Sequence, residues 1–581
     1  MLPALPRLFP KVALVRDFDR SLFQTTFTTP ALRVAANQCG RFLKEMSGML
    51  LSAPRIKPIM PVPDSVDQVS EEAKKSLRML LLKPGVRRED LPAGLLTEEE
   101  GSSACAWIED FQLCLDYNYW TVDQIFDSAL PDGLPNVSGF ETIGHIAHLN
   151  LRDPHLPYRE FIGQVILDKN CHNISTVVNK IDTIEHQFRF FKMEVLAGKD
   201  DLNAVVRENG CTFKFDFSRV YWNSKLHREH ERLQLCFDRG DTVIDVMAGV
   251  GPFAVPAAAH RHVNLVLAND LNPSSHEFLV ENIRRNNVGK YVTPYNLDGR
   301  EMIRRGLAEA RALKARRLAD TGSVVASRPA VRLTQSTPFI TRFGLDHKAP
   351  VVPSPRVVDH FVMNLPAIAI EFLDAFVGLY RAEYPELAEQ LDQDPDMGSP
   401  ATAAALAAIA DQMPMIHVHC FEFIHDGEVA AAKAVAGRVG TVLGASMTLA
   451  PSSTLNLVVA DRNWFLQEAP AGAAASATPP APRGNAAKMP DHLAVPGSPG
   501  TDLPRPAVGT VHVHNVRSVA PNKDMYCASF VLPPAVALRQ PAGPEVDAAA
   551  PVAGKRPHPD AESGEPASSK KHQADVVTKP E

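Results

Sequence analysis

The segment TVIDVMAGVGPFAVPAAA, residues 242–259, constrains the fold of this chain more than any other feature. It predicts a buried strand, a turn broken by Gly249 and Gly251, and a helix of small residues. α/β proteins use such a turn to bring backbone N–H groups close to a nucleotide-like ligand. We therefore expect the segment to begin a parallel sheet that has a ligand site at one edge.

The segments that follow continue the alternation of strands and helices. An amphipathic helix is expected over 272–287, which Ser274 or Ser275 could help to cap. A β-hairpin over 511–533, which lies apart from the other strands in the chain, should complete the sheet. Further strands are predicted at 263–270, 291–300, 357–366 and 415–423. The alternation predicts a doubly wound parallel sheet with its ligand at the carboxyl ends of the strands.

The glycine turn favours a ligand that has no pyrophosphate. Pro252 removes one N–H donor from the start of the helix, and the third glycine of a dinucleotide-binding turn is missing. Polar residues also follow three of the other strands: Asp270 to accept from ribose hydroxyls, Asp298 to contact an adenine edge, and Asn364. Together these residues suit S-adenosylmethionine. Taken singly, Asp270 could instead cap a helix and Asp298 could be an ordinary turn residue.

Composition limits the remaining possibilities. The net charge of −7 means that any nucleic-acid site must be a local positive surface. The eight cysteines form no CxxC pair, which argues against a zinc knuckle. No long apolar run predicts a membrane span. Low-complexity stretches predict disordered insertions near 319–355 and 470–508 and a disordered tail over 535–581.

Two pairs of histidines lie at strand spacing, His417 with His419 and His512 with His514. Each pair can present two metal ligands on one face, but no third ligand is evident from the sequence. We therefore interpret both pairs as strand surface and predict no metal.

Upstream of the sheet, the segment 218–233 places Tyr221, Lys225 and Glu229 four residues apart. If the later part is helical, Glu229 shares a face with Arg228 and Arg232, a pattern that usually forms solvated ion pairs. Further upstream, Arg189 lies among three phenylalanines, where it could stack on or contact a base, or could be an ordinary surface residue.

In order and spacing, several motifs together resemble the eukaryotic and archaeal tRNA (guanine(37)-N1)-methyltransferase family. No single motif carries the resemblance, which covers roughly residues 20–465 and 508–534. The motifs are FRFFKMEVLAG, VYWNSKLHREHERL, DVMAGVGPFAVPAA, NDLNP, NLDGR, NLP and VRSVAPNKDMYCASFVLP.

The resemblance implies three folded parts. A domain over 1–145 would bind the outer corner of tRNA, and a small α+β domain over 146–240 would carry catalytic residues. A Rossmann-like methyltransferase domain over 241–534 would bind S-adenosylmethionine. The implied activity is methyl transfer to N1 of guanine 37, which supports reading-frame maintenance and, for tRNA-Phe, the first step of wybutosine synthesis.

The resemblance also implies roles for particular residues. Glu229 matches the general base, and Arg189 matches the arginine that stabilises guanine O6. Tyr221 and Asn364 match residues that position the flipped base. Lys225 stands where archaeal members often have Arg. The implied cofactor contacts are His230, Asp270, Leu271, Asp298, Gly299 and Asn364. The turn itself adds Gly249 and Gly251.

Three alternatives stay open from the sequence. A wybutosine-pathway aminocarboxypropyl transferase shares the scaffold and cofactor, a non-catalytic tRNA-binding protein could retain the fold, and a nicotinamide dehydrogenase is disfavoured by Pro252. The resemblance further implies a monomer that works in the mitochondrial matrix, cytoplasm and nucleus. The basic, apolar N-terminus hints at a transit peptide but also contains Asp17 and Asp19.

Overall fold

The structure is a computed structural model. It describes residues 5, 7, 8, 19–63, 71–92, 105–137, 139–181, 192–261, 263–321, 354–394, 399–424, 427–450 and 505–541. Most of the predicted insertions at 319–355 and 470–508, and nearly all of the predicted tail, lie outside the described residues. Met1–Arg539 forms one unit.

An antiparallel sheet begins the chain, in the strand order β2-β3-β1-β4. Its strands are β1 (Thr25–Ala35), β2 (Ile59–Pro61), β3 (Leu77–Leu81) and β4 (Ala106–Leu115). The accompanying helices are α1 (Cys39–Glu45), α2 (Glu71–Ser76) and α3 (Val122–Ala129). Thr121 caps α3 by accepting from the N–H of Gln124.

A second four-stranded sheet follows, in the order β5-β6-β7-β8, with one helix, α4 (Arg159–Lys169). Its strands are β5 (Glu141–Ile143), β6 (Ile146–Leu149), β7 (Thr176–Lys180) and β8 (Met193–Gly198). The predicted boundary at 145 therefore falls between two strands that pair with each other. Phe161 of α4 contacts Phe23 and Phe126, so the first two sheets share one apolar core rather than meeting at a linker.

The main sheet has eight strands in the order β13-β12-β11-β14-β15-β18-β17-β16. The first five of these are parallel, as the alternation predicted. The hairpin β17–β18 pairs antiparallel with β15 and so extends this sheet, as expected. The strands are β11 (Thr242–Asp245), β12 (Leu265–Asn269), β13 (Val292–Tyr295), β14 (His360–Met363), β15 (Met415–Phe423), β16 (Thr448–Leu449), β17 (Thr510–Ala520) and β18 (Lys523–Val531).

Two helices near the glycine turn differ in detail from expectation. The helix after the turn is short, Ala254–Pro256 (α6), and continues as a π-helical segment over Ala257–Arg261. Pro256 accounts for the irregularity because it has no N–H to donate to the preceding turn. The next helix, α7 (Pro273–Arg285), is capped by Asn272, which accepts from the N–H of Ser274, so neither Ser274 nor Ser275 is the capping residue.

The remaining helices cover the main sheet and its edge. A two-stranded ribbon of β9 (Asn203–Glu208) and β10 (Cys211–Asp216) precedes the helix α5 (His227–Gln234). Phe213 and Phe215 of the ribbon pack on Trp222, in the same apolar cluster as Val243. This packing holds α5 against the sheet. The helices are α5 (His227–Gln234), α8 (Gly299–Thr321), α9 (Pro385–Gln393), α10 (Pro400–Ile409), α11 (Glu428–Leu443) and α12 (Pro534–Leu538). Among the helices described, none combines the length and apolarity that a membrane crossing requires.

Candidate active site

The glycine turn joins β11 to α6 with both glycines at positive φ, 56° at Gly249 and 97° at Gly251. A Cβ at Gly251 would lie 2.8 Å from Cγ2 of Val255 and 2.9 Å from Cδ1 of Leu279, so the helix packs directly on this residue. A Cβ at Gly249 would meet no atom within 4 Å. The turn is therefore closed at Gly251 and open at Gly249, where a ligand can approach the backbone.

Asp270 closes onto this turn from the end of β12. Its Oδ2 accepts from the N–H of Gly249 at 2.8 Å, and its Oδ1 accepts from the N–H of Asn272 at 2.9 Å. Burial raises the pKa of Asp270, and these backbone hydrogen bonds oppose the rise. The proposed ribose contact stays a prediction, although Asp270 does lie beside the glycine turn as that role requires.

Asn269 is a site residue whose importance the sequence did not reveal. It is fully buried, and its amide nitrogen donates to the carbonyls of Val246 and Leu297 at 3.0 Å each. Its amide oxygen accepts from the N–H of Leu297 at 2.9 Å. Asn269 thus joins the carboxyl ends of β11, β12 and β13, and it holds in place the loops on which the site depends.

At the carboxyl ends of the parallel strands, two buried polar groups make no normal hydrogen bond with the described residues. Neither carboxylate oxygen of Asp245, at the end of β11, has a partner of normal geometry, although the backbone N–H of Met247 is close enough to lower its pKa slightly. Oδ1 of Asn364, which follows β14, also lacks a partner. Burial, with the charge of Asp270, raises the pKa of Asp245 to about 8. Such groups are costly unless something binds them, so a ligand with hydrogen-bond donors fits this edge. S-adenosylmethionine has such donors in its ribose hydroxyls and its ammonium group.

The other predicted cofactor residues lie at the same edge. Leu271 keeps 40% of its surface exposed, which suits an apolar contact with a ligand. Asp298 is exposed and caps α8 by accepting from the N–H of Arg300 at 2.9 Å. Gly299 begins that helix, and a Cβ there would lie 3.0 Å from the ring of Phe372. Their contacts with a cofactor stay predictions.

Glu229 lies in a buried cluster rather than on a solvated helix face. Both of its oxygens accept from Arg232, Oε2 from Nε and Oε1 from Nη2, at 2.7 Å each. Nε2 of His419, on β15, lies 2.7 Å from Oε1. Burial alone would raise the pKa of Glu229, but Arg232 and His419 outweigh burial and hold it well below its ordinary value. The expectation of solvated ion pairs along this helix is wrong for Glu229 and Arg232, which are both buried.

The interpretation of the histidine pairs as strand surface is wrong for His417 and His419, which are almost completely buried. His417 lies 3.1 Å from His360 and 2.8 Å from the hydroxyl of Ser529. His419, Cys527 and Glu229 lie close enough to share a metal ion. Arg232 and His419 both face the Glu229 carboxylate at the same point, and the expectation that no metal binds stays a prediction.

Of three further predicted residues, His230 and Tyr221 make their contacts with other residues, and Arg189 is not among the described residues. His230 is buried, with Nδ1 2.5 Å from Glu208 and its ring edge-on to Phe253. Tyr221 is 42% exposed, and its hydroxyl accepts from Asn223. Arg189 lies outside the described residues, so its predicted role stays a prediction.

A pocket of about 800 Å³ has Tyr221 and Lys225 in its wall, and its lining does not include the residues of the Glu229 cluster. Its lining includes three cations, Lys180, Lys225 and Arg517, against one carboxylate, Glu141, which accepts from Ser224. The aromatic rings of Tyr221 and Trp222 line the same pocket. Cations beside aromatic rings are what a single-stranded nucleic acid requires, and this is a local positive surface on an acidic chain.

Comparisons with known proteins found two matching family models and several similar proteins. A family model described as the TRM5/TYW2 methyltransferase domain matches residues 204–316, and one described as the TYW2 N-terminal domain matches residues 122–201. The chain is similar to the "tRNA (guanine(37)-N(1))-methyltransferase" of Batrachochytrium dendrobatidis, with 36% identity over 543 residues, 91% of this chain and 90% of that protein.

The protein of the same name from Schizosaccharomyces pombe is 36% identical over 533 residues, 91% of this chain and 96% of that protein. Among solved structures, "The complex structure of aTrm5 and tRNALeu" aligns with 86% of this chain and 99% of that chain. The identity of that alignment is 15% and its TM-score is 0.43.

Proposed function

Because the chain belongs to the tRNA (guanine(37)-N(1))-methyltransferase family, we propose that it transfers a methyl group from S-adenosylmethionine to N1 of guanine 37 in tRNA. The observation that carries the proposal is the similarity to methyltransferases of this name along nine tenths of their length. The site adds chemical support, because unpartnered Asp245 and Asn364 lie at the same sheet edge as the open glycine turn.

The chemistry requires a proton acceptor because N1 of guanine carries a proton at neutral pH. Glu229 accepts that proton, so the N1–H bond breaks and an O–H bond forms on the carboxylate. When bound, S-adenosylmethionine supplies an electrophilic methyl group. That methyl group would pass to the N1 electron pair, and the sulfur of the cofactor would keep the electron pair of the S–C bond.

Arg189 stabilises the negative charge that develops on O6, by the same physics as an oxyanion site. Tyr221 and Asn364 position the base, which must leave its stacked place in the loop to reach the site. Asp270, Asp298 and Leu271 hold the adenosine part of the cofactor, and Gly249 gives it room.

We place the anticodon loop of the tRNA in the pocket lined by Lys180, Lys225 and Arg517. The first antiparallel sheet, residues 25–115, is the candidate surface for binding the outer corner of tRNA. We further propose that the enzyme acts as a monomer and that its product on tRNA-Phe enters wybutosine synthesis. Sedimentation of the protein with and without tRNA tests the first point, since a dimer would contradict it.

The proposed compartments are the mitochondrial matrix, cytoplasm and nucleus. Subcellular fractionation of the untagged chain tests this distribution, and its confinement to one compartment would contradict it.

The decisive experiment supplies cofactor labelled in the methyl group and transcripts that carry either guanine or adenine at position 37. We expect label in N1-methylguanosine from the guanine transcript only. A nucleoside that has gained the mass of an aminocarboxypropyl group would favour the related transferase activity. Binding of tRNA without any modified nucleoside would favour a non-catalytic protein.

Substitution Glu229→Gln tests the general base. We expect single-turnover methyl transfer to fall by roughly 10²-fold or more, with cofactor affinity nearly unchanged. Near-normal turnover in this variant would remove Glu229 from the base role while leaving the overall activity assigned.

A further inference from the structure

Hydrogen-bond donors occupy most of the accepting capacity of the Glu229 carboxylate. A carboxylate has about four lone-pair sites, two on each oxygen. Oε1 accepts from both Arg232 and His419, whereas Oε2 accepts from Arg232 alone. Nε2 of His514 lies 3.9 Å from Oε2, too far for a hydrogen bond. Among the hydrogen bonds of the described residues, one lone-pair site on Oε2 thus has no donor.

The geometry of His419 makes it a second cation beside Glu229. Nε2 faces the Glu229 carboxylate, and Nδ1 lies 3.4 Å from the carbonyl oxygen of Met363. Both oxygens can only accept, so a protonated ring can donate to both of them. Burial lowers the pKa of His419, but Cys527 and Glu229 raise it, to about 10. Glu229 is therefore held between two positive groups.

Several elements around Glu229 contribute a titratable or charged group, and Asp245 at the end of β11 interacts electrostatically with His419. Arg232 lies on α5, His419 and His417 on β15, His514 on β17 and Cys527 on β18. Burial, with nearby positive charge, lowers the pKa of His514 to about 3 and that of His417 well below its ordinary value. These two rings are neutral at physiological pH, so the cations that act on Glu229 in this cluster are Arg232 and His419.

We propose that Arg232 and His419 are positioning residues that fix the Glu229 carboxylate and leave Oε2 as the oxygen that takes the N1 proton. The inference rests on the proposed function and deepens it. Arg232 holds the plane of the carboxylate through two parallel hydrogen bonds. Nδ1 of His419 lies near the carbonyl oxygen of Met363, the residue directly before Asn364. His419 therefore links Glu229 to the end of β14, where Asn364 is proposed to position the guanine.

The test is the pH dependence of single-turnover methyl transfer on a tRNA transcript, between about pH 4 and 9, a range that extends toward the low pKa of Glu229. The variants are His419→Asn, which removes one cation, and Arg232→Lys, which keeps a charge but cannot bond both oxygens. In both we expect the acid limb of the profile to move up by about one pH unit or more, because Glu229 binds its own proton more readily. Cofactor and tRNA affinities should change by less than about threefold, a difference below 1 kcal/mol.

His417→Asn is the matched control, since it removes a buried but neutral ring from the same strand. Its acid limb should coincide with that of the parent protein even if its melting temperature falls. If Arg232→Lys does not fold, His419→Asn alone decides.

An unmoved acid limb in a folded His419→Asn variant, with Glu229→Gln inactive, would overturn the positioning role and leave the base in place. An active Glu229→Gln variant would overturn the base role and this inference together.

Discussion

The carboxylate of Asp270 accepts a hydrogen bond from the backbone N–H of Gly249 at 2.8 Å, so the end of β12 closes directly onto the glycine turn that follows β11. The contact joins two strand ends that are 21 residues apart in the chain. A ligand in this crevice therefore meets the open face of Gly249 and the carboxylate of Asp270 together.

Substitution Asp270→Ala should weaken cofactor binding roughly tenfold or more, because a hydrogen bond to a charged group is worth about 1.5–3 kcal/mol. Calorimetric titration with S-adenosylhomocysteine measures the change without turnover. Glu277→Gln on α7 is the matched control, since it removes a nearby carboxylate that is 64% exposed. Equal affinities for parent and Asp270→Ala would refute the ribose role.

Gly251→Ala should destabilise the protein by roughly 1–3 kcal/mol, because an alanine there combines a strained backbone with overpacking against Val255 and Leu279. Gly249→Ala should cost less, since its Cβ meets no neighbour, but should hinder the cofactor more. Urea unfolding and cofactor titration of the two variants separate the effects. The reverse order of stabilities would show that the turn is not packed as described.

Asp245→Asn should stabilise the cofactor-free protein at alkaline pH. The folded pKa of Asp245 is raised to about 8, whereas an unfolded Asp titrates near ~3.9, so the parent loses stability as pH rises between these values. Asn imitates the protonated side chain and does not titrate. The melting temperature of the variant minus that of the parent should be larger at pH 8 than at pH 5. The same difference at both pH values would contradict the burial of this charge.

Glu229 and His419 should give opposite pH dependences of stability. The folded pKa of Glu229 is depressed, so its contribution is complete above the unfolded value of ~4.3 and is lost as pH falls below it. The folded pKa of His419 is raised to about 10, so its contribution is complete below ~6.5 and is lost as pH rises toward 10. Melting curves of His419→Asn should therefore lack the decline that the parent shows above about pH 8, where Asp245 no longer contributes, and parallel curves there would argue against a charged His419.

Arg517→Gln and Lys180→Gln should weaken tRNA binding at low salt. Each should reduce the slope of log affinity against log salt by about 0.7, the value for a lost phosphate contact on a single strand. Lys290→Gln is the control, because Lys290 is exposed and lies just before β13, at the amino end of that strand. Salt slopes identical to that of the parent in both pocket variants would place the RNA elsewhere.

The sequence by itself determined the α/β class, the five parallel strands, the late hairpin and the strand-end residues, because periodicity and turn chemistry are local properties. The pairing of Arg232 with Glu229 was within reach of the sequence, since residues three apart meet on a helix. Its burial was not, because burial depends on what packs against the helix.

Only the tertiary structure decided what His419 does. It lies 190 residues from Glu229 in the chain, and strand spacing shows only that it shares a face with His417. The sheet order places β15 beside β14, and the packing of Phe213 and Phe215 on Trp222 holds α5 above it. A site assembled from such distant segments is fixed by packing and register, which no local pattern encodes.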